Sequence, residues 1–389
     1  MSASDMEGPR ACAKAELAEM IALVDAEMRA GKSQSLLTDY PLVYRDANLE
    51  NVRIIKAGGK LASVVPFIVR EVALGNSRFS IGIISPTATA PEHRKKGYGS
   101  ACLRSCVEKM TLEGVDLSAL WTDVRTFPFY EKADYQAVRP QGWVYPCRRE
   151  DANLFPKGDF EVVRYGPERR EHIEEIQAMH ERDVYGVLRA RGEYPVLFSL
   201  PKMETLIALE RGRAAGYLLV SRAVNKPGLL EAGGKTPAVE TLVNHALAEL
   251  EDGATLSAHA NLTPSVLGDA VDRRMRDRRQ PGAGGNMMIR INDARGFMGK
   301  ISSRLVARNA GAARRFSIAI SGTKERMSFE FSRGTLTLGD EFIEPHLEMT
   351  LREFTGVVFG AHAERPAPMS AALEELFPFY FPLFMLDHS

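Results

Sequence analysis

The sequence predicts a mixed α/β (α+β) protein of more than one domain, and three observations lead there. The chain has 389 residues, more than one ordinary core accommodates. Strand-like and helix-like apolar patterns alternate through residues 13–149, and the same rhythm returns after a polar break. After the glycine-rich stretch Pro281–Gly285 the style changes again, to short alternating strands flanked by helices.

Taken in order, Leu17, Met20, Ile21, Val24 and Met28 recur at helical spacing and make 13–28 an amphipathic helix. Segments 52–56 and 61–72 read as strands, and Gly58-Gly59 between them signals a hairpin turn. Residues 79–90 form the next strand, closed by Pro91; a helix follows over 99–113 and a short β-prone strand over 117–122. Residues 150–159 are polar and hold Pro156 and Gly158, a natural boundary. Beyond it come a strand at 160–164, a helix at 167–183, a strand at 213–222, a helix at 236–249 and a basic helix at 269–279. Residues 317–320, 327–331 and 335–338 alternate as strands, with turns at Gly322 and Gly334.

Lys and Arg number 50, as do Asp and Glu, so the formal charge is zero. That excludes the basic field of a dedicated nucleic-acid binder, and the arginines of 273–279 are expected to be a solvated face. No apolar run approaches the length of a membrane span, and Met1–Arg10 is polar rather than signal-like, so a cytoplasmic protein without membrane contact is expected. Four cysteines are too few for a disulfide scaffold. Cys102 and Cys106 share a helix face, but no second ligand pair completes a metal site; they read as small buried hydrophobes and no metal is expected.

The stretch with chemical content is Thr87-Ala88-Thr89-Ala90-Pro91-Glu92-His93-Arg94-Lys95-Lys96-Gly97-Tyr98-Gly99-Ser100, a basic glycine-containing loop between a strand and a helix. The first N–H groups of a helix have no internal acceptor, and its dipole favours an anion there. Gly97 and Gly99 let the backbone approach a ligand, while Arg94, Lys95 and Lys96 add positive charge. The loop lacks the Gly-Lys-Ser/Thr ending of a nucleotide triphosphate site and the early triple glycine of a dinucleotide site, yet it suits a pyrophosphate.

Arg94-x-x-Gly97-x-Gly99 after a strand resembles the coenzyme A loop of the GNAT acetyltransferase superfamily. Phe127-Pro128-Phe129-Tyr130-Glu131-Lys132-Ala133-Asp134-Tyr135 is similar to the family segment in which a Phe-Tyr pair opens a short helix, with Ala133-Asp134 standing where the family commonly has Leu-Gly. The resemblance implies that two strands splay to admit the thioester of acetyl-CoA and that the backbone of 87–90 (Thr87, Ala88, Thr89) lies along its pantetheine arm. It also implies that Tyr130 is the general acid protonating the departing thiolate, as the amine attacks directly through a tetrahedral intermediate. Arg94, Lys95, Lys96, Gly97, Tyr98, Gly99 and Ser100 would bind the cosubstrate.

Residues 39–44, 54–69 and 93–135 resemble one subgroup, the enhanced intracellular survival type. That likeness implies two tandem GNAT folds followed by a sterol-carrier-protein-like domain: 1–150 catalytic, 151–290 degenerate, and 291–389 with a tail reaching the active site. In 231–235, Glu231 stands where phosphates would bind, so one coenzyme A site per chain is expected. In the subgroup the terminal carboxylate serves as base; here it belongs to Ser389, and His388 is a second candidate. The apolar run 377–386 would anchor that tail. The acceptor implied is a primary amine, such as a polyamine or an aminoglycoside-like compound. Asp123 and Glu131 are carboxylates near the site that could help to bind it. A homo-oligomer, often a hexamer in the subgroup, is implied as well. Two other classes stay open: a non-catalytic protein binding coenzyme A and lipid, and an acetyltransferase for protein lysines or N-termini.

Overall fold

The computed structural model describes residues 6–30, 35–138, 142–182, 185–223, 227–260, 265–281, 287–309, 311–360, 370–379 and 387. It is a mixed α/β protein that divides into two compact units. One combines Met1–Arg139 with Gly285–Phe379; the other holds Pro140–Gly284 and Asp387.

The first unit opens with strand β1 (Met6–Ala11), helices α1 (Leu17–Met28) and α2 (Leu36–Asp39), and strands β2 (Val52–Ala57), β3 (Lys60–Leu74) and β4 (Ser77–Ile84). The β2–β3 hairpin turns at Gly58 and Gly59, both at positive φ, where the paired glycines signalled it. Strand β1 pairs with β2 across a register shift between Glu7 and Arg10. Its MEGPRA sequence has neither alternation nor β-branched residues, so the pattern search passes over it.

The expected strand 79–90 is two pieces, β4 and the short β5 (Ala88–Thr89). They are separated near Pro86, which has no N–H to continue a ladder, and β5 resumes the pairing with β3 that β4 leaves off, shifted by one residue of register. Helix α3 (Tyr98–Leu112) crosses to strand β6 (Leu117–Trp121), which lies parallel to β4. Cys102, Leu103, Cys106 and Met110 on one face of α3 are buried in a core shared with Ile55, Val65, Phe67 and Leu120. A Cβ at Gly82 of β4 would come within 2.0 Å of the Met110 sulfur, so glycine sets how closely helix and sheet approach. Helix α4 (Phe127–Glu131) and strand β7 (Gln136–Ala137) finish this stretch.

The second unit contains β8 (Trp143–Arg148), β9 (Glu161–Arg164), α5 (Ile173–Arg182), β10 (Tyr185–Leu188), α6 (Glu193–Phe198), β11 (Met203–Glu210), β12 (Arg213–Ser221), β13 (Gly228–Gly234), α7 (Thr236–Ala248), β14 (Thr255–Ala260), α8 (Val266–Met275) and β15 (Gln280–Pro281). Its sheet runs β15-β8-β14-β13-β12-β11-β9, and β13 and β14 are parallel, joined by α7. That repeats the β4-α3-β6 connection of the first unit. The α7 and α8 faces bury Val239, Leu242, Val243, Leu267 and Val271 against it. The expected basic face is ion-paired at each arginine: Arg273 and Arg274 with Glu240, Arg276 with Asp272, Arg278 with Asp151, and Arg279 with Asp272 and the Trp143 ring.

The chain then returns to the first unit. Strand β16 (Met287–Ile291) inserts between β6 and β7, antiparallel to both. Helices α9 (Ala294–Lys300) and α10 (Ser302–Arg308) follow, then β17 (Arg314–Ile320), β18 (Arg326–Ser332), β19 (Thr335–Gly339) and β20 (His346–Met349), and helices α11 (Leu351–Phe359) and α12 (Ser370–Leu376). These four strands form a separate sheet ordered β19-β18-β17-β20. Trp143–Arg148, placed with the first domain by the sequence reading, thus runs in the second sheet, whereas Met287–Ile291 runs in the first. No helix among the described residues is long and apolar enough to cross a membrane.

Candidate active site

Strands β4 and β6 pair through Ile81–Leu117, Gly82–Ser118 and Ile83–Ala119, and then part. Beyond that point the first strand stays with β3 through β5, while β6 continues along β16 as far as Trp121 opposite Met287. Two parallel strands drawn to different neighbours leave a fork, a gap whose walls present backbone amides. Ala90 N–H donates to Ala62 O at 3.0 Å on the β3 side. Antiparallel alternation then directs the N–H of Thr89 away from β3, toward the free edge. The Ala90 amide, which the sequence reading left available to the cosubstrate, is committed to the sheet.

Tyr130, on α4, is buried at the mouth of this fork. Burial pushes its phenol above the ordinary value, and the hydroxyls of Thr87 and Thr122 beside it offset part of that effect. Thr87 follows β4 and Thr122 follows β6, so the phenol stands between the two diverging walls. At neutral pH it is a protonated donor. Phe129 and Tyr135 pack edge-on to its ring at centroid distances of 4.8 and 6.1 Å and fix its orientation. The turn after α4 is made with Asp134 at φ 63°, the left-handed conformation that a glycine adopts freely.

The glycine loop begins α3. Gly97 is its N-cap at φ 84°, with no side chain capping the first turn and open space where a Cβ would project. Lys95, at φ 60°, completes the sharp turn. Arg94, Lys95, Lys96 and Gly97 are exposed, and Tyr98, Gly99 and Ser100 are partly buried beneath them. A Cβ at Gly99 would lie 3.2 Å from Thr89 Oγ1, so the helix start fits closely against β5. Lys96 Nζ approaches His93 Nδ1 at 3.5 Å. Uncapped helical N–H groups ringed by three cations suit the diphosphate of coenzyme A.

One member of this set is already engaged. The Arg94 guanidinium donates to Thr89 O at 3.3 Å and is paired with Glu27 of α1. No sequence signal exposed Glu27, because its partner lies 67 residues away. The carboxylates considered for the acceptor also have structural partners: Asp123 caps the turn before α4 and pairs with Arg125, and Glu131 pairs with Arg352. Cys102 and Cys106 lie buried in the helix–sheet core, where burial pushes the Cys102 thiol up to about 12.

Glu231 does not stand at a loop in the second unit. It lies within β13, buried, where Arg189 grips it with two bonds of 2.9 and 2.7 Å and the Tyr217 hydroxyl donates to it at 2.8 Å. Arg189 Nη2 also donates to Asp387 Oδ1 at 2.8 Å, and His180 Nδ1 is 3.3 Å from Glu231. His388 and Ser389 lie outside the described residues, as does 380–386 of the apolar tail.

Residues 9–138 match the sequence model of the acetyltransferase (GNAT) domain. Among solved structures, a protein of unknown function from Enterococcus faecalis, described as a probable N-acyltransferase, superposes with TM-score 0.70 at 16% identity, covering 97% of this chain and 98% of its own. A GCN5-related N-acetyltransferase from Kribbella flavida gives 0.69 at 16%, covering 97% and 99%, and Eis1 from Mycobacterium abscessus gives 0.63 at 14%, covering 98% of each. No curated protein matches the sequence. The chain carries a GNAT acetyltransferase domain and is an acyltransferase enzyme.

Proposed function

We propose that the chain transfers the acetyl group of acetyl-CoA to a primary amine of a small molecule. The observation that carries this reading is Tyr130, a buried and protonated phenol set between the walls of the β4/β6 fork, close to an uncapped helix start flanked by Arg94, Lys95 and Lys96. The N–H groups at the start of α3 and the three cations bind the diphosphate. Thr89 N–H, on the free edge of β5, polarises the thioester carbonyl. Tyr130 delivers its proton to the departing sulfur, and the terminal carboxylate of Ser389 or the imidazole of His388 takes the proton that the amine gives up. The last hundred residues or so act as a sterol-carrier-protein-like scaffold carrying that end.

Acetyl-CoA at about a hundred times its Kd should stabilise the fold by about 2.7 kcal/mol, read as a rise in Tm. Tyr130→Phe should lower kcat on the order of 10²-fold while leaving acetyl-CoA affinity nearly unchanged. Normal turnover by that variant would remove the assigned acid. A free-thiol assay over a panel of small amines and lysine peptides identifies the acceptor; turnover of peptides alone would move the reading to protein acetylation.

A further inference from the structure

The second unit contains a cavity of about 1210 Å³ that acetyl transfer in the first does not use. It opens at the end of the second sheet where β9 and β12 finish and β11, β13 and β14 begin. The fork of the first unit lies past the other, C-terminal, ends of its parallel strands, so this cavity is no remnant of a coenzyme A groove. Two arginines wall it, each with one edge fixed. Arg164 Nη2 donates to both oxygens of Glu249 at 2.8 and 2.7 Å, and its Nε pairs with Glu204. Arg222 donates to Glu204 Oε2 through Nε at 3.0 Å and Nη2 at 2.7 Å. Held this way, each guanidinium keeps an Nη1 edge that bonds nothing among the described residues. Lys202, whose carbonyl accepts Arg222 N–H at 2.8 Å, and Glu251 also line the cavity, and neither has an ion pair among the described residues. The apolar part is Tyr165 and Phe198, packed edge-on at 5.3 Å. Beside them Thr205 is 3% exposed, and its Oγ1 has no hydrogen-bond partner among the described residues. A buried hydroxyl without a partner is costly, and here the cavity it lines is the place from which a partner comes.

We propose that this cavity is a binding site for a short zwitterionic peptide carrying an aromatic side chain. Glu204 and Glu249 already neutralise Arg164 and Arg222, so one cation, Lys202, and one carboxylate, Glu251, are left over. A ligand with one charge of each sign and no net charge complements that remainder. Its carboxylate takes the two Nη1 edges and Lys202, and its ammonium takes Glu251. The ring lies against Phe198 and Tyr165, and the peptide group bonds Thr205 Oγ1. The volume exceeds the roughly 300–1,000 Å³ of an ordinary small-molecule site, which suits a peptide of a few residues better than a single amino acid. No bond is made or broken in this binding, and the site does not depend on the acetyl-transfer reading.

The test is calorimetry on the full chain without acetyl-CoA, using the dipeptide glycyl-phenylalanine as the probe. Its N-acetyl form and its C-terminal amide each lack one charge. The free dipeptide should bind with a Kd below about 1 mM, and each blocked form at least about ten-fold more weakly. Thr205→Val keeps the shape and removes the hydroxyl, so it should weaken binding by about three- to ten-fold. In the absence of the dipeptide, its Tm should match or exceed that of wild type. Lys202→Asn alters an exposed residue at φ 61°, a conformation asparagine tolerates, and covers the case in which Thr205→Val fails to fold. It should weaken binding by about three-fold and reduce its salt dependence. The amine of the probe could also enter the first unit as an acceptor, but binding there is blind to both substitutions. Equal affinity in wild type and both variants therefore overturns the site. Absence of binding at about 10 mM overturns it as well, and equal binding of a blocked form overturns the zwitterion. A lower Tm for unliganded Thr205→Val would show its hydroxyl already satisfied and overturn its part in the site.

Discussion

Asp134 and His180 show how single residues settle local questions. Asp134 occupies a left-handed turn position, costing about 1–2 kcal/mol for a residue with a Cβ, although a short polar side chain lessens the penalty. Asp134→Gly should therefore raise the unfolding free energy by up to about 1 kcal/mol, and Asp134→Val should lower it by at least as much, both read from urea midpoints. The sequence marked this position, since a family glycine is missing there; the structure shows the turn keeping its geometry. His180 gave no such signal. Its Nε2 lies 2.8 Å from Val187 O, and its Nδ1 faces the Tyr217 oxygen at 3.2 Å and Glu231 at 3.3 Å. Tyr217 spends its only hydrogen on Glu231, so both ring nitrogens face acceptors and the imidazolium satisfies them. Burial alone would lower the His180 value, but the Glu231 charge outweighs it and the net direction is up. A raised folded value stabilises fully below the unfolded pKa of about 6.5 and loses that contribution as pH climbs through the folded value. The stability gap between wild type and His180→Gln should therefore be widest in mild acid and close as the solution becomes basic.

At the scale of elements, the β4-α3-β6 connection was legible and its closing contacts were not. Periodicity located α3 and β6 within a residue of their ends, because each buries one regular face, and α1 at its C-terminal end, its start lying four residues later than expected after a 3-10 turn at Lys14–Glu16. The break between β4 and β5 escaped notice: the alternating apolar pattern continues through 88–90, and the pieces differ by a single residue of register against β3, which pairs with both. Likewise β11 escaped notice, although it pairs with both β9 and β12. The α1–loop contact belongs here too. Since Arg94 is tied to Glu27, diphosphate binding competes with that pair, and exposed pairs are worth about 0.2–1 kcal/mol. Glu27→Gln should tighten acetyl-CoA binding by up to about five-fold at low salt, measured by calorimetry, with the gain shrinking as salt is added.

For the whole molecule, a reading along the chain finds domains in sequence order, but the pairing does not respect that order. Local composition placed a boundary near residue 150 and another near 290, whereas β8 pairs with β14 and β16 pairs with β6. Nothing in the MMIRI sequence of β16 names its neighbour, since an apolar strand of five residues suits either sheet. A protein ending at residue 150 should lack β16, the strand that supports the β6 wall of the fork, and expose the β6 edge. It should be found aggregated or readily proteolysed, whereas the full chain resists protease under the same conditions. The detour through the second unit also carries a temporal consequence. A ribosome adding about 5–20 residues per second completes residues 140–284 before β16 has been made, so the acetyltransferase unit is the last to close although its first strands emerge earliest. During synthesis the edge of β6 waits unpaired for seconds, and the nascent chain is most in need of a chaperone in that interval.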